Sequence, residues 1–160
     1  MWSACALLPV TDLAATDGRG KTALHIAVAT DSEACLELLL PMMSGVDVCT
    51  VPVVTPSGEA LDSFGWTALH LVCQNGNLPM CKALLGRGAD RMARDSYQCI
   101  PLHYAAMKRK LETGKLEGSL ACAIMLVGRP GKARMTPAEV DAADDGGRTA
   151  LHYAAVYGFD

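Results

Sequence analysis

The tetrapeptide Thr-Ala-Leu-His stands at residues 22–25, 67–70 and 149–152, and a fourth version reads Ile-Pro-Leu-His at 100–103. All four histidines of the chain hold the last place in this marker. From His70 to His103 the spacing is 33 residues. A chain that repeats itself at this period is built from small units, each too short to bury its own apolar faces. Such units become stable by stacking on their neighbours.

The stretch 62–94, DSFGWTALHLVCQNGNLPMCKALLGRGADRMAR, is the one uninterrupted copy. Thr67 precedes an apolar-periodic run and is placed as a helix N-cap. Leu69, Val72 and Cys73 then fall on one helical face. Asn75-Gly76-Asn77 breaks the run, with Gly76 suited to positive φ. Leu78, Cys81, Leu84 and Leu85 form a second apolar stripe. Pro79 lies in the first turn of that helix, where a missing N–H costs little. Gly86 or Gly88 closes the helix. A polar turn then leads to the next marker.

This period and marker resemble the ankyrin repeat, and the resemblance covers nearly the whole chain. It implies an all-α solenoid of stacked helix-turn-helix units with β-hairpin turns between repeats. It also implies that each histidine joins a hydrogen-bond network linking the marker threonine to neighbouring turns.

The units divide the chain as one domain over 1–160. Residues 1–16 read as the remnant of a preceding repeat, the alternative being a frayed tail. The repeat over 17–61 has helices near 23–30 and 32–40, with Ser32 as a cap and Pro41 as a stop. His25 to His70 is 45 residues, 12 beyond the period. Ten of these are 49–58, CTVPVVTPSG, whose β-branched residues and Ser-Gly turn predict a lengthened hairpin finger. The competing reading is an unpaired loop. The repeat over 95–143 carries insertions near 109–117 and 129–138. Residues 107–112 would lengthen its first helix. Thr136-Pro137-Ala138-Glu139 fits a capping box and reads either as an extra helical turn or as a lead into the next repeat. Ile100 replaces the marker threonine, so a hydroxyl is lost there. The last repeat, 144–160, stops where its second helix should begin, as in a piece of a longer array. Leu151, Ala154 and Ala155 should therefore lack a cover.

Net charge is −3 and the isoelectric point is about 5.8, which gives no general argument for nucleic acid. The seven cysteines are odd in number and scattered. Several occupy helix stripes, where cysteine behaves as a small hydrophobe. That pattern suits a reducing intracellular compartment, cytoplasmic or nuclear. No apolar run approaches transmembrane length, and the start MWSACALLPV lacks the basic region of a signal peptide. The histidines recur once per unit, not at zinc-site spacings, so no metal is expected. Gly18-Arg19-Gly20-Lys21-Thr22 resembles the tail of a phosphate loop but is the same turn that precedes Thr67 and Thr149. No nucleophile motif is present. No cofactor, small-molecule substrate or catalysis is expected.

What remains is a binding surface. The resemblance implies protein–protein interaction through turn tips and the concave inner-helix face, as an adaptor, scaffold or recognition arm. The matching positions give Arg19 and Lys21 in the first repeat, and Phe64 and Trp66 in the second. They give Tyr97, Met107 and Lys108 in the third, and Arg148 and Tyr157 in the last. Their basic side chains suggest a partner with an acidic segment. The competing role for Phe64 and Trp66 is packing under the 49–58 finger. The competing function is that of a targeting domain within a larger enzyme or channel, such as a kinase, ubiquitin ligase or ion channel.

Overall fold

The computed structural model describes residue 13 and residues 15–42, 53–54, 60–61, 64–107, 116–128 and 134–157. Its helices are α1 (Ala23–Ala29), α2 (Glu33–Leu39), α3 (Ala68–Asn75), α4 (Leu78–Gly86), α5 (Pro101–Ala106), α6 (Leu116–Val127), α7 (Pro137–Val140) and α8 (Ala150–Tyr157). The fold is an all-α repeat solenoid. An inner row, α1–α3–α5–α8, stacks in sequence order. The outer helices α2, α4 and α6 pair with α1, α3 and α5, and α4 packs against both α2 and α6.

Each helix starts and stops for a local reason. Gly76 has φ of 71° and ends α3 in the left-handed region, so Asn77 is free to start α4. The Asn77 side chain accepts from the Met80 N–H at 2.9 Å, and Pro79 sits harmlessly in the first turn. α4 ends at Gly86. Ser32 stands at the N-cap of α2 but its side chain makes no capping bond. Pro41 lies in a 3-10 turn, Leu40–Met42, that continues α2. The Arg87 guanidinium of the next repeat donates to the Leu40 carbonyl. Thr136 and Glu139 form the reciprocal cap of α7: the Thr136 N–H donates to Glu139 Oε2 at 2.6 Å, and the Glu139 N–H to Thr136 Oγ1 at 3.3 Å.

The core runs between the two rows. Leu24, Val28, Leu36, Leu69, Val72, Cys73, Met80, Cys81, Leu84, Leu102, Ala105, Cys122 and Leu126 are all buried. α3 is buried from Ala68 to Cys73 because it has neighbours on every side. Met80, absent from the expected α4 stripe, is as buried as Cys81 and Leu84.

Two expectations change. α5 stops at Ala106, and Met107 leaves it with extended backbone, φ −76° and ψ 96°. The insertion therefore does not lengthen α5 at Met107, and 108–115 lie outside the described residues. Ile100 does not merely lack a hydroxyl: its side chain is wholly buried.

In the long first connection, β1 (Val53–Val54) pairs antiparallel with β2 (Ala60–Leu61), Val53 opposite Leu61 and Val54 opposite Ala60. The rest of 49–58 lies outside the described residues.

Candidate functional site

The marker histidine ties each repeat to the next. The Thr67 N–H donates to His70 Nδ1 at 3.0 Å, so that nitrogen carries a lone pair and Nε2 carries the proton. Nε2 then donates to the Cys99 carbonyl at 3.2 Å, one repeat on. His25 makes the same pair of bonds, from the Thr22 N–H and to the Trp66 carbonyl, and His103 from the Ile100 N–H and to the Arg148 carbonyl. Where the marker keeps threonine, its hydroxyl donates to the same Nδ1, at 2.8 Å from Thr22 and 2.9 Å from Thr67. Burial lowers the pKa of His70, which keeps the ring neutral. These histidines are structural, and each fixes where the following turn sits.

The turns themselves are closed by an aspartate. Asp17 Oδ1 accepts the N–H groups of Arg19 and Lys21 at 2.8 and 2.9 Å. Asp95 Oδ1 accepts from Tyr97 and Cys99 at 2.9 and 2.8 Å, and Asp144 Oδ1 from Gly146 and Arg148 at the same distances. Three residues after each of these aspartates the chain passes through positive φ. Three repeats place glycine there, Gly20, Gly65 and Gly147, whereas the third uses Gln98 at φ 59°. Neighbouring turns are joined by main-chain bonds: the Ser96 N–H donates to the Phe64 carbonyl at 2.8 Å, and the Asp145 N–H to the Tyr97 carbonyl at 3.0 Å. The result is a row of rigid tips along one edge of the stack.

Aromatic rings gather at the second and third tips. Phe64 lies 5.2 Å from Trp66 and 5.6 Å from Tyr97, ring centre to ring centre. Trp66 meets Tyr104 edge-on at 5.1 Å. The indole N–H of Trp66 points inward, 2.8 Å from the Tyr104 hydroxyl and 3.1 Å from Asp95 Oδ2. The Tyr104 hydroxyl in turn donates to Asp95 Oδ2 at 2.5 Å. Burial, with that bond, pushes the Tyr104 hydroxyl pKa well up, so it stays a donor. Trp66 thus supports the turn of the next repeat. Tyr97 stands outward, with 48% of its surface exposed.

The remaining expected positions separate. Arg19 is exposed at the first tip and Lys21 is half-buried beside it. The Arg148 guanidinium is exposed but engaged, with Nε 3.1 Å from Asp144 Oδ2 and its centre 5.1 Å above the Tyr153 ring. Met107 packs against the core, Tyr157 is exposed at the far end of α8, and Lys108 lies outside the described residues. Phe64 and Trp66 meet the next repeat's turn, while the finger's side chains lie outside the described residues. Sequence reasoning overlooked Asp95, Tyr104, Asp144 and Tyr153. Their signal was present as an aspartate nine residues before a tyrosine in the last two repeats.

Cys73, Cys81, Cys99 and Cys122 are buried free thiols. Cys81 is pushed up to about 12: contact with Cys122 works downward but Cys73 and burial outweigh it. Burial raises Cys99 to about 11. Thiols so protonated are poor nucleophiles. Among the described residues, no group of three His, Cys, Asp or Glu is placed to hold a metal ion. No helix there is long and apolar enough to cross a membrane.

Two family models match the chain: "Ankyrin repeats (3 copies)" over residues 42–116 and "Ankyrin repeat" over 19–51. Mouse inversin is 33% identical over 141 residues, covering 88% of this chain and 11% of inversin. A Caenorhabditis elegans homolog of transient receptor potential cation channel subfamily A member 1 is 36% identical over 97 residues, 61% of this chain and 7% of the channel. The chicken nuclear factor NF-kappa-B p105 subunit is 34% identical over 92 residues, 57% of this chain and 8% of that protein. The chain thus spans about a tenth of the length of these relatives.

Proposed function

Because the chain belongs to the ankyrin repeat family, we propose that it is a non-catalytic protein-recognition module whose contact surface centres on the second and third turn tips. The observation that carries this reading is Tyr97. It is half exposed and stacked on Phe64, and the main-chain bonds on both sides of its turn hold it in place. A rigid aromatic presented this way loses little entropy on binding, which is what an interface anchor requires. Trp66 serves as the support beneath Phe64. Arg19 and Lys21 lie at the first tip and Arg148, bonded to Asp144, at the last, and these cations favour a partner segment bearing carboxylates. The charges act mainly on association rate and salt dependence. Met107 and Tyr157 extend the surface toward the inner-helix face, and Lys108 belongs to the same proposal by its place in the sequence next to Met107. The free thiols support an intracellular setting, cytoplasmic or nuclear.

The test is affinity capture of a partner, followed by titration with Tyr97→Ala and Phe64→Ala, each checked for thermal stability. Tyr97→Ala is expected to weaken binding by at least about 2 kcal/mol with little loss of stability. Unchanged affinity in both variants, with loss on substituting exposed residues of α2 or α4, would move the interface to the outer row.

A second reading is favoured by the lengths of the relatives. The chain matches a small part of inversin and of the channel homolog. The same module would then serve as the targeting arm of a larger enzyme or channel. Binding by the 160-residue chain alone, at the affinity of the full-length protein, would argue for an independent adaptor.

A further inference from the structure

Arg19, Phe64, Tyr97 and Gly146 hold one place in the four repeats, three residues before the marker. Along the row of tips that place reads cation, aromatic, aromatic and bare backbone. The two rings are the stacked pair, Phe64 half-buried and Tyr97 outermost. Lys21 adds a second cation at the first tip. The main chain of the tips is less open than these side chains. In the third tip, 95–99, all five N–H groups are engaged inside the stack. Those of Asp95 and Gln98 donate to the Cys99 and Asp95 carbonyls, and that of Ser96 to the Phe64 carbonyl. Those of Tyr97 and Cys99 donate to Asp95 Oδ1. The same five bonds recur in the fourth tip, 144–148. A strand that joins a sheet edge needs a row of unpaired main-chain donors, and these two tips have none to give.

We infer that the partner segment crosses the tips as a polyproline II helix, with a proline-rich stretch on Phe64 and Tyr97 and carboxylates at Arg19 and Lys21. This rests on the proposal that the tips are the contact surface. A polyproline II chain has no internal hydrogen bonds and keeps its backbone in water, so it asks for no main-chain donor. Its prolines dock on aromatic side chains. Its conformation is set before binding, so less entropy is lost. Reach then fixes the spacing. Packed helices stand about 8–10 Å apart, which puts Tyr97 about 16–20 Å from the first tip, two repeats away. At about 3.1 Å per residue, that distance takes about five or six residues of polyproline II. The segment therefore carries its acidic residues about five or six positions from the apolar residue that meets Tyr97. Arg148 lies one repeat beyond Tyr97, so a further carboxylate fits about three positions past it.

The probe is a fluorescein-labelled peptide, Glu-Glu-Pro-Ala-Pro-Pro-Leu-Pro-Pro, made in both chain directions. It is titrated against the 160-residue protein by fluorescence anisotropy. One direction is expected to bind with a Kd below about 1 mM. Glycine in place of the prolines should weaken binding at least about tenfold, and so should Tyr97→Ala. Glutamine in place of the glutamates should remove most of the salt dependence. Arg19→Glu should weaken the glutamate probe and not the glutamine one. Both protein variants are checked by thermal unfolding, and both side chains are exposed. Absence of binding in either direction overturns the inference. So does equal binding by the glycine probe, or tighter binding by the strand-forming control Glu-Glu-Val-Thr-Val-Thr-Val-Thr-Val. Proline-dependent binding that neither Tyr97→Ala nor Arg19→Glu alters also overturns it, by taking the peptide off the tips. Should the probes fail while capture of a protein partner still depends on Tyr97, this inference falls and the parent proposal stands.

Discussion

The hydroxyl of Tyr104 donates to Asp95 Oδ2 at 2.5 Å, and Tyr153 makes the same bond to Asp144 at the same distance. In both repeats one carboxylate does two tasks. Its Oδ1 closes the turn and its Oδ2 pins the turn to the inner helix that follows. The environments differ around this common core. Trp66 adds its indole N–H at Asp95, whereas Arg148 adds its guanidinium at Asp144.

Tyr104→Phe should therefore cost more than Tyr153→Phe. The first change takes a partner from both Asp95 and the Trp66 indole in a buried site, the second takes one bond from a carboxylate that keeps its arginine. Losses of about 2 and about 1 kcal/mol are expected, read from urea midpoints. Equal losses would show that Trp66 adds nothing to the network.

Gln98 holds a conformation that the other three turns give to glycine. A non-glycine residue there bears about 1–2 kcal/mol of steric cost, partly offset by the greater entropy that glycine loses on folding. Gln98→Gly should stabilise by about 0.5–1 kcal/mol. Its main-chain carbonyl still accepts from Arg94, so that contact does not confuse the comparison.

Restoring the marker threonine at position 100 has the opposite sign from the one a missing hydroxyl suggests. Ile100 is wholly buried in the core. Ile100→Thr would gain a hydroxyl bond to His103 Nδ1, about 0.5–1.5 kcal/mol. It would lose apolar burial of about 1.5–3 kcal/mol. A net loss of about 1 kcal/mol is expected in thermal or urea unfolding.

Gly118 lies within α6, where alanine normally improves a helix by about 1 kcal/mol. A Cβ at this position would run into the Gly76 carbonyl oxygen, with backbone on both sides of the contact. Neither partner can turn away. Gly118→Ala should destabilise by about 2 kcal/mol despite the propensity gain. Gly86→Ala is the control: nothing lies within 4 Å of its Cβ position.

Acid should unfold the stack in two windows. His70 is depressed by burial below its ordinary 6.5, so the unfolded chain binds its proton first, and this contribution is complete above pH 6.5 and shrinks below it. Asp144 sits lower. Burial alone would raise it, but bonds from Tyr153, Arg148 and Gly146 hold it at about 2 against 3.8. Its contribution is present above pH 3.8 and is lost as pH falls toward 2. Urea midpoints measured down the pH scale should fall in both ranges, and Asp144→Asn should flatten the lower one.

The residues that set the repeats speak to their own sequence neighbours, and that is why they were legible. A glycine at 76, a proline at 79 and a leucine stripe act over one or two helical turns, where spacing in the chain is spacing in space. The period then fixed the stacking, since a helix pair with two apolar faces has no other way to bury them. The resemblance foretold a histidine network, but which carbonyl each ring meets depends on atoms 29 to 45 residues away. Burial of Ile100, the inward turn of the Trp66 indole and the approach of Gly118 to Gly76 are likewise contacts between repeats. Each depends on how one unit sits on the next. Tertiary structure decided those, because packing is settled by shape at the contact and not by the identity of either residue alone.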